Sequence, residues 1–250
     1  MLENNISNTS SIESTFHFKY QYLFFTFFSA TWLISCIAAV KLVSIFGLTL
    51  TGGFMIFPFT SLAGTLIVEI YGYKNARQAA WSGFLLNILF VLFMYLVSIV
   101  PASPYWDLQN EFDAILMQSI RITCASLISF MISFFLSAYI MSNMKIKNHG
   151  NALPKRILFS STAAITVDIV CFITLAFVGT IPTEAFVKLL IAAYSKKIVC
   201  EIVLLPVIWY LIDKVKANEG IEVFDFKTDF NPFSLDNVYH FNDYKCRVAQ

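Results

Sequence analysis

The stretch AAWSGFLLNILFVLFMYLVSIV, from Ala79 to Val100, decides the fold class. It contains no Asp, Glu, Lys or Arg, and Asn87 is its only amide side chain. As a helix at 1.5 Å per residue it spans about 30 Å, the thickness of a bilayer's hydrocarbon core. Five further apolar stretches flank it. Tyr20–Phe46 and Gly53–Tyr71 come before; Ile115–Met141, Ile157–Val178 and Ala185–Ile212 come after. The first lies too far in, and runs too long, for a cleaved signal. The whole chain agrees: of 250 residues, 58% are hydrophobic and only 13% charged, with a mean hydropathy of +0.69. Soluble domains carry about a quarter charged residues. The sequence therefore predicts an all-α integral membrane protein with six transmembrane helices.

Several functions are excluded at once. A net charge of +1 gives no basic surface for nucleic acid. Cys36, Cys124, Cys171 and Cys200 sit inside apolar runs, and no C-x-x-C pair exists. His17, His149 and His240 have no Cys or carboxylate at ligand spacing, so neither a metal nor any other cofactor is expected. No phosphate loop or nucleophile elbow occurs. The chain does not read as an enzyme.

Lysines and arginines set the orientation. Lys74 and Arg77 follow the second span, Lys145, Lys147, Lys155 and Arg156 lie between the fourth and fifth, and Lys214 and Lys216 follow the sixth. The opposite connections lack basic residues, and one carries Asp107, Glu111 and Asp113. Both termini are therefore expected in the cytoplasm. Residues 1–19 read as a disordered cytoplasmic tail, residues 20–216 as the six-helix transport domain, and residues 217–250 as an acidic-aromatic cytoplasmic tail. That last tail either packs on the cytoplasmic loops or is solvated.

Charges within spans carry the functional signal, because each costs several kcal/mol if it faces lipid. Lys41, Glu69 and Arg121 lie within about two turns of a span end, where snorkelling serves as well as a site role. Asp168 lies twelve residues beyond Arg156, about 18 Å along its helix and near the midplane. Lys197 and Glu201 form an i, i+4 pair at matching depth on the sixth span. This trio predicts a shared polar cavity for a ligand or a proton. Gly52-Gly53 and Phe57-Pro58-Phe59-Thr60 predict a helix two broken near Pro58, a habit of transporters.

Phe57-Pro58-Phe59-Thr60, followed by Glu69-Ile70-Tyr71-Gly72-Tyr73-Lys74-Asn75-Ala76-Arg77, resembles the signature of the queuosine precursor transporter family, also called the vitamin uptake transporter family. Lys41, Arg121-Ile122, the spacing of Arg156, Ser160 and Asp168, and that of Tyr194, Lys197, Glu201 and Pro206 extend the match. So does Phe230-Asn231-Pro232-Phe233. The chain departs from the pattern at Thr65, Phe134, Ser137 and Ile165, where the family carries acids or amides. The resemblance implies a multi-pass protein of the bacterial inner membrane. It would import 7-deazaguanine bases, the cyano or aminomethyl precursors of queuosine or queuine itself. The alternative is the ligand-binding subunit of an energy-coupling-factor type vitamin importer. Lys41, Glu69, Arg121, Asp168, Lys197 and Glu201 would bind ligand or couple transport, and Tyr71, Gly72 and Arg77 would form a cytoplasmic motif. The expected partners are a small purine-like molecule and the bilayer; a homo-oligomer is compatible with all of this.

Overall fold

Helix α1, Gln21–Ala38, packs against two later helices that meet at one glycine: α2, Phe57–Leu66, and α3, Gly72–Ile99. The computed structural model describes residues 18–39, 41–45, 48–116, 120–177, 179, 182–239 and 243–246. Beyond a short helix α4, Gln109–Leu116, follow three long ones: α5, Ile120–Lys147, α6, Leu153–Phe177, and α7, Thr183–Glu219. The most extensive helix contacts are those of α5 with α6 and of α6 with α7. α2 contacts α7, and α3 contacts α5, so the later helices close onto the earlier ones.

Gln21–Ala38, Phe57–Ile99, Thr123–Lys147 and Leu153–Ala176 are long and apolar enough to cross a membrane. Within the second, Gly72 has φ +79° and ψ 177°, a conformation open essentially to glycine alone. The rod is therefore two helices. With a 3-10 turn at Gly52–Met55, the part before Gly72 spans about 30 Å and α3 about 42 Å. Leu85, Leu89, Leu92, Phe93 and Leu96 leave α3 exposed and apolar, the surface a lipid chain would cover. Asn87 is buried, and its amide donates to the Gly83 carbonyl at 2.9 Å, so it needs no other helix.

Several expectations need correction. The first span ends at Ala38, not Phe46. Leu42–Ile45 (β1) and Leu48–Thr51 (β2) pair antiparallel, because Val43-Ser44-Ile45 and Leu48-Thr49-Leu50-Thr51 alternate with a strand's period of two. Lys41 is thus an exposed bend residue outside any helix. No loop separates spans two and three: Lys74 and Arg77 are buried in the first turns of α3. Pro58 opens α2 instead of bending it, in the first turn where its missing N–H is tolerated. The distortion lies at the other end, where Ile67–Tyr71 form a π-turn carrying Glu69. The predicted tail of residues 1–19 falls outside the described residues except at Phe18 and Lys19.

The C-terminal segment packs on the helices, although Phe233 and Leu235 stay exposed. α7 ends at Gly220, with φ +71°, the usual left-handed stop. Ile221–Val223 (β3) then pairs with Tyr244–Cys246 (β4), and the chain between them folds back under α3.

Candidate functional site

The helical period builds a chamber between α2, α5, α6 and α7. α2 and the π-turn after it turn Phe57, Thr60, Ser61, Gly64, Thr65 and Val68 toward it, and α5 turns Phe130, Ser133, Phe134, Ser137 and Met141. Both sets follow the i, i+3, i+4, i+7 pattern of one helix face. α6 adds Ser161, Ala164, Ile165 and Asp168, and α7 adds Lys197 and Glu201. Gly64 is small for a reason: a Cβ there would stand 2.9 Å from the Phe134 ring. The Phe130 and Phe134 rings stack with centroids 6.0 Å apart and form an aromatic wall. The free volume is about 80 Å³, well below the roughly 300–1,000 Å³ of drug-sized ligand pockets. In this conformation it has room for a small head group, and a bicyclic base would need a wall to move.

Its polar groups fall into two sets. Lys197 Nζ donates to Asp168 Oδ2 at 2.5 Å and lies 4.8 Å from the Phe57 ring centre. Glu201 is buried, and its two oxygens accept from Ser161 Oγ at 2.6 Å and Ser61 Oγ at 3.1 Å. No Lys, Arg or His among the described residues forms an ion pair with Glu201. Thr60 Oγ1, on the α2 wall, is buried and has no hydrogen-bond partner among the described residues. Asp168, Lys197 and Glu201, expected to share a cavity, do share one.

Glu69 lies elsewhere. The π-turn directs its carboxylate into a fully buried cluster at the α5–α6 connection. Arg156 grips it with both guanidinium nitrogens, at 2.6 and 2.9 Å, while also donating to the carbonyls of Asn151 and Gly150. Lys216 of α7 pairs with it at 2.6 Å, and Lys145 of α5 donates to its backbone carbonyl at 2.5 Å. Glu222 of β3 joins from the tail, pairing with Lys145 at 3.3 Å and with Lys216. Burial alone would raise the Glu222 carboxyl, but these two lysines hold it below the usual carboxylate range. Arg121 lies in α5, and its side chain is outside what the structure describes.

Tyr71, Gly72 and Arg77 form the seat of the C-terminal segment. The N–H of Tyr73 donates to both oxygens of Asp225 at 3.1 Å, and the N–H of Lys74 donates to Tyr239 Oη at 2.8 Å. The tail thereby caps a helix N-terminus that has no local cap. A Cβ on Gly72 would sit 2.4 Å from Tyr239 Oη. Arg77 donates to the Asn231 carbonyl at 2.9 Å, Trp81 to that of Pro232 at 2.8 Å, and Lys74 pairs with Asp236 at 2.6 Å. Burial, with Asp225 alongside, pushes the Tyr239 phenol well above its ordinary range, and the Lys74 hydrogen bond lowers the Asp236 carboxyl. Tyr71 Oη donates to Glu219 at 2.9 Å, and Glu219 also accepts from the backbone amides of Lys19 and Tyr20.

The profile of the family described as "Putative vitamin uptake transporter" matches residues 51–211, well over half of the chain. The chain belongs to this family. A Bacillus subtilis (strain 168) protein described as "Probable queuosine precursor transporter" is 31% identical over 170 residues, covering 67% of this chain and 73% of that relative. No solved structure matches. The chain is thus a multi-pass membrane protein, as its motifs implied. Thr65, Phe134, Ser137 and Ile165, where it departs from the family pattern, all line the chamber. Sequence reasoning missed Ser61, Ser161, Thr60 and the fixing of Glu69 by Arg156. The i, i+3, i+4 spacing of Phe57, Thr60, Ser61 and Gly64 was the available signal for the first of these.

Proposed function

We propose that this chain imports a 7-deazaguanine base, a precursor of queuosine, across the bacterial inner membrane as a secondary transporter. One observation carries the reading: a chamber with an aromatic wall, a carboxylate–lysine pair and a second carboxylate lies inside the helices of a vitamin uptake transporter family member. The relative's printed name points to the same ligand class. A deazaguanine's ring N–H and 2-amino group suit a carboxylate, its carbonyl edge suits a lysine, and its face suits Phe130 and Phe134.

In this reading six segments cross the membrane: α1, Gly52–Tyr71, α3, α5, α6 and α7. Both termini are cytoplasmic, because Lys74, Arg77, Lys145, Arg156 and Lys216 all gather at the end where the tail docks. Asp168, Lys197 and Glu201 make the ligand set; Glu69 closes the cytoplasmic end. Cells unable to synthesise queuosine and carrying this protein should accumulate labelled cyano-, aminomethyl-deazaguanine or queuine. Accumulation of none of the three would refute the reading. Co-purification with an ATPase pair and a coupling subunit would instead place the chain in an energy-coupling-factor importer.

A further inference from the structure

Within the chamber, Asp168 and Lys197 neutralise each other at 2.5 Å. That leaves Glu201. It is 1% exposed, and its hydrogen-bond partners are the neutral hydroxyls of Ser61 and Ser161. The walls from α2 and α5 contribute hydroxyl, aromatic and aliphatic side chains, α6 contributes Asp168, and α7 contributes Lys197, which is turned toward Asp168. Among its described lining residues the chamber therefore carries one surplus negative charge. A carboxylate this deep in a membrane protein is costly without a counter-charge.

The geometry has room for that counter-charge. An ionised carboxylate offers about four acceptor positions, and serines fill two on Glu201. Thr60 Oγ1, buried without a partner and one residue before Ser61, supplies a further acceptor on the same wall. An alkylammonium group has three donors. Three donors meet two open carboxylate positions and one hydroxyl.

We propose that Glu201 is the specificity residue for a cationic head group, so the chamber selects a planar base bearing a protonated amine over its neutral analogue. This rests on the base-import reading above and narrows its substrate. The free volume of about 80 Å³ suits an aminomethyl group entering ahead of its ring. The Asp168–Lys197 pair is left to the neutral donor and acceptor edges of the base.

The test uses full-length protein in lipid nanodiscs and compares the aminomethyl base, a cation at neutral pH, with the cyano base, which is neutral. Wild type should bind the aminomethyl base about tenfold or more tighter, the range for a hydrogen bond to a charged group. Glu201→Gln should erase that preference by weakening the aminomethyl base alone, and Glu201→Asp should keep it. A second measurement needs no variant: in proteoliposomes an inside-negative potential should accelerate uptake of the aminomethyl base but not the cyano base. Equal wild-type affinity for both bases overturns the inference while leaving base import standing. If uptake of both is driven by potential and by acid, a proton occupies Glu201 and the inference falls. If neither base binds, import of these bases fails as well.

Discussion

Two clusters of charge lie within this protein, and they balance differently. Around Glu69, two carboxylates meet Arg156, Lys145 and Lys216, held by close ion pairs and hydrogen bonds to backbone carbonyls. In the chamber, two carboxylates meet one lysine, and a neighbouring threonine hydroxyl has no partner. The first arrangement is tied to five chain segments at once and has little reason to change. The first has one cation in excess, but each of its charges touches an opposite one. In the second, Glu201 has hydroxyl partners alone and Thr60 Oγ1 has none. Buried charge in a membrane protein therefore does not mark a ligand site by its presence alone. Its degree of satisfaction separates structural from functional charge.

The sharpest way to break this comparison is at Glu69. Glu69→Ala leaves Arg156 and two lysines without their common partner, at a cost of about 3–5 kcal/mol. We expect little monodisperse protein to be recovered after detergent extraction. Wild-type yield and melting temperature would show that the cluster holds nothing together. Asp168→Asn should do the reverse. The protein should fold at normal levels, while base uptake by cells falls about tenfold or more, as for loss of a charge-assisted contact. Normal uptake in that folded variant would remove Asp168 from the ligand set.

Smaller effects sharpen the end where the C-terminal segment docks. Gly72→Ala forces a side chain into a backbone region costing about 1–3 kcal/mol and against Tyr239 Oη, so the melting temperature should drop. Asp225→Ala removes the cap of α3, worth about 1–2 kcal/mol, and should speed amide exchange at Tyr73. No change there would mean that water caps the helix equally well.

The weakest effect is one of pH. The Glu222 and Asp236 carboxyls are both depressed by their lysine partners. Their stabilisation is full above the ordinary carboxylate range, about pH 4, and is lost as pH falls through the lowered values. Protection from hydrogen exchange in residues 221–239, corrected for the intrinsic pH dependence of exchange, should therefore fall only in acid. Half-exposed Asp236 should contribute least. A loss of protection on the alkaline side instead would reverse the sign of the argument.

The chamber was largely legible in the sequence. Asp168, Lys197 and Glu201 announced themselves by depth, but the i, i+4 spacing suggested a Lys197–Glu201 pair, whereas Lys197 pairs with Asp168 and Glu201 with two serines. Lys41 was misplaced because Leu42–Thr51 is as apolar as a helix; only its alternation betrayed a hairpin. The role of Glu69 was hidden because its partners Lys145, Arg156 and Lys216 lie 76 or more residues away in the chain. The meeting of α2 and α3 at Gly72 was obscured by Lys74 and Arg77, which read as loop charges. They are buried because the distant tail, itself ambiguous by composition, supplies their acceptors.

The amides of Lys19 and Tyr20, at the start of α1, find their acceptor in Glu219, and the first amides of α3 find theirs in Asp225 and Tyr239. A ribosome delivers these in the opposite order. The earlier helices must therefore wait, their first amides unfinished, until Glu219, Asp225 and Tyr239 have been made. A nascent chain arrested before Glu219 would present quality-control proteases with frayed helix ends, whereas one extended past Tyr239 would not.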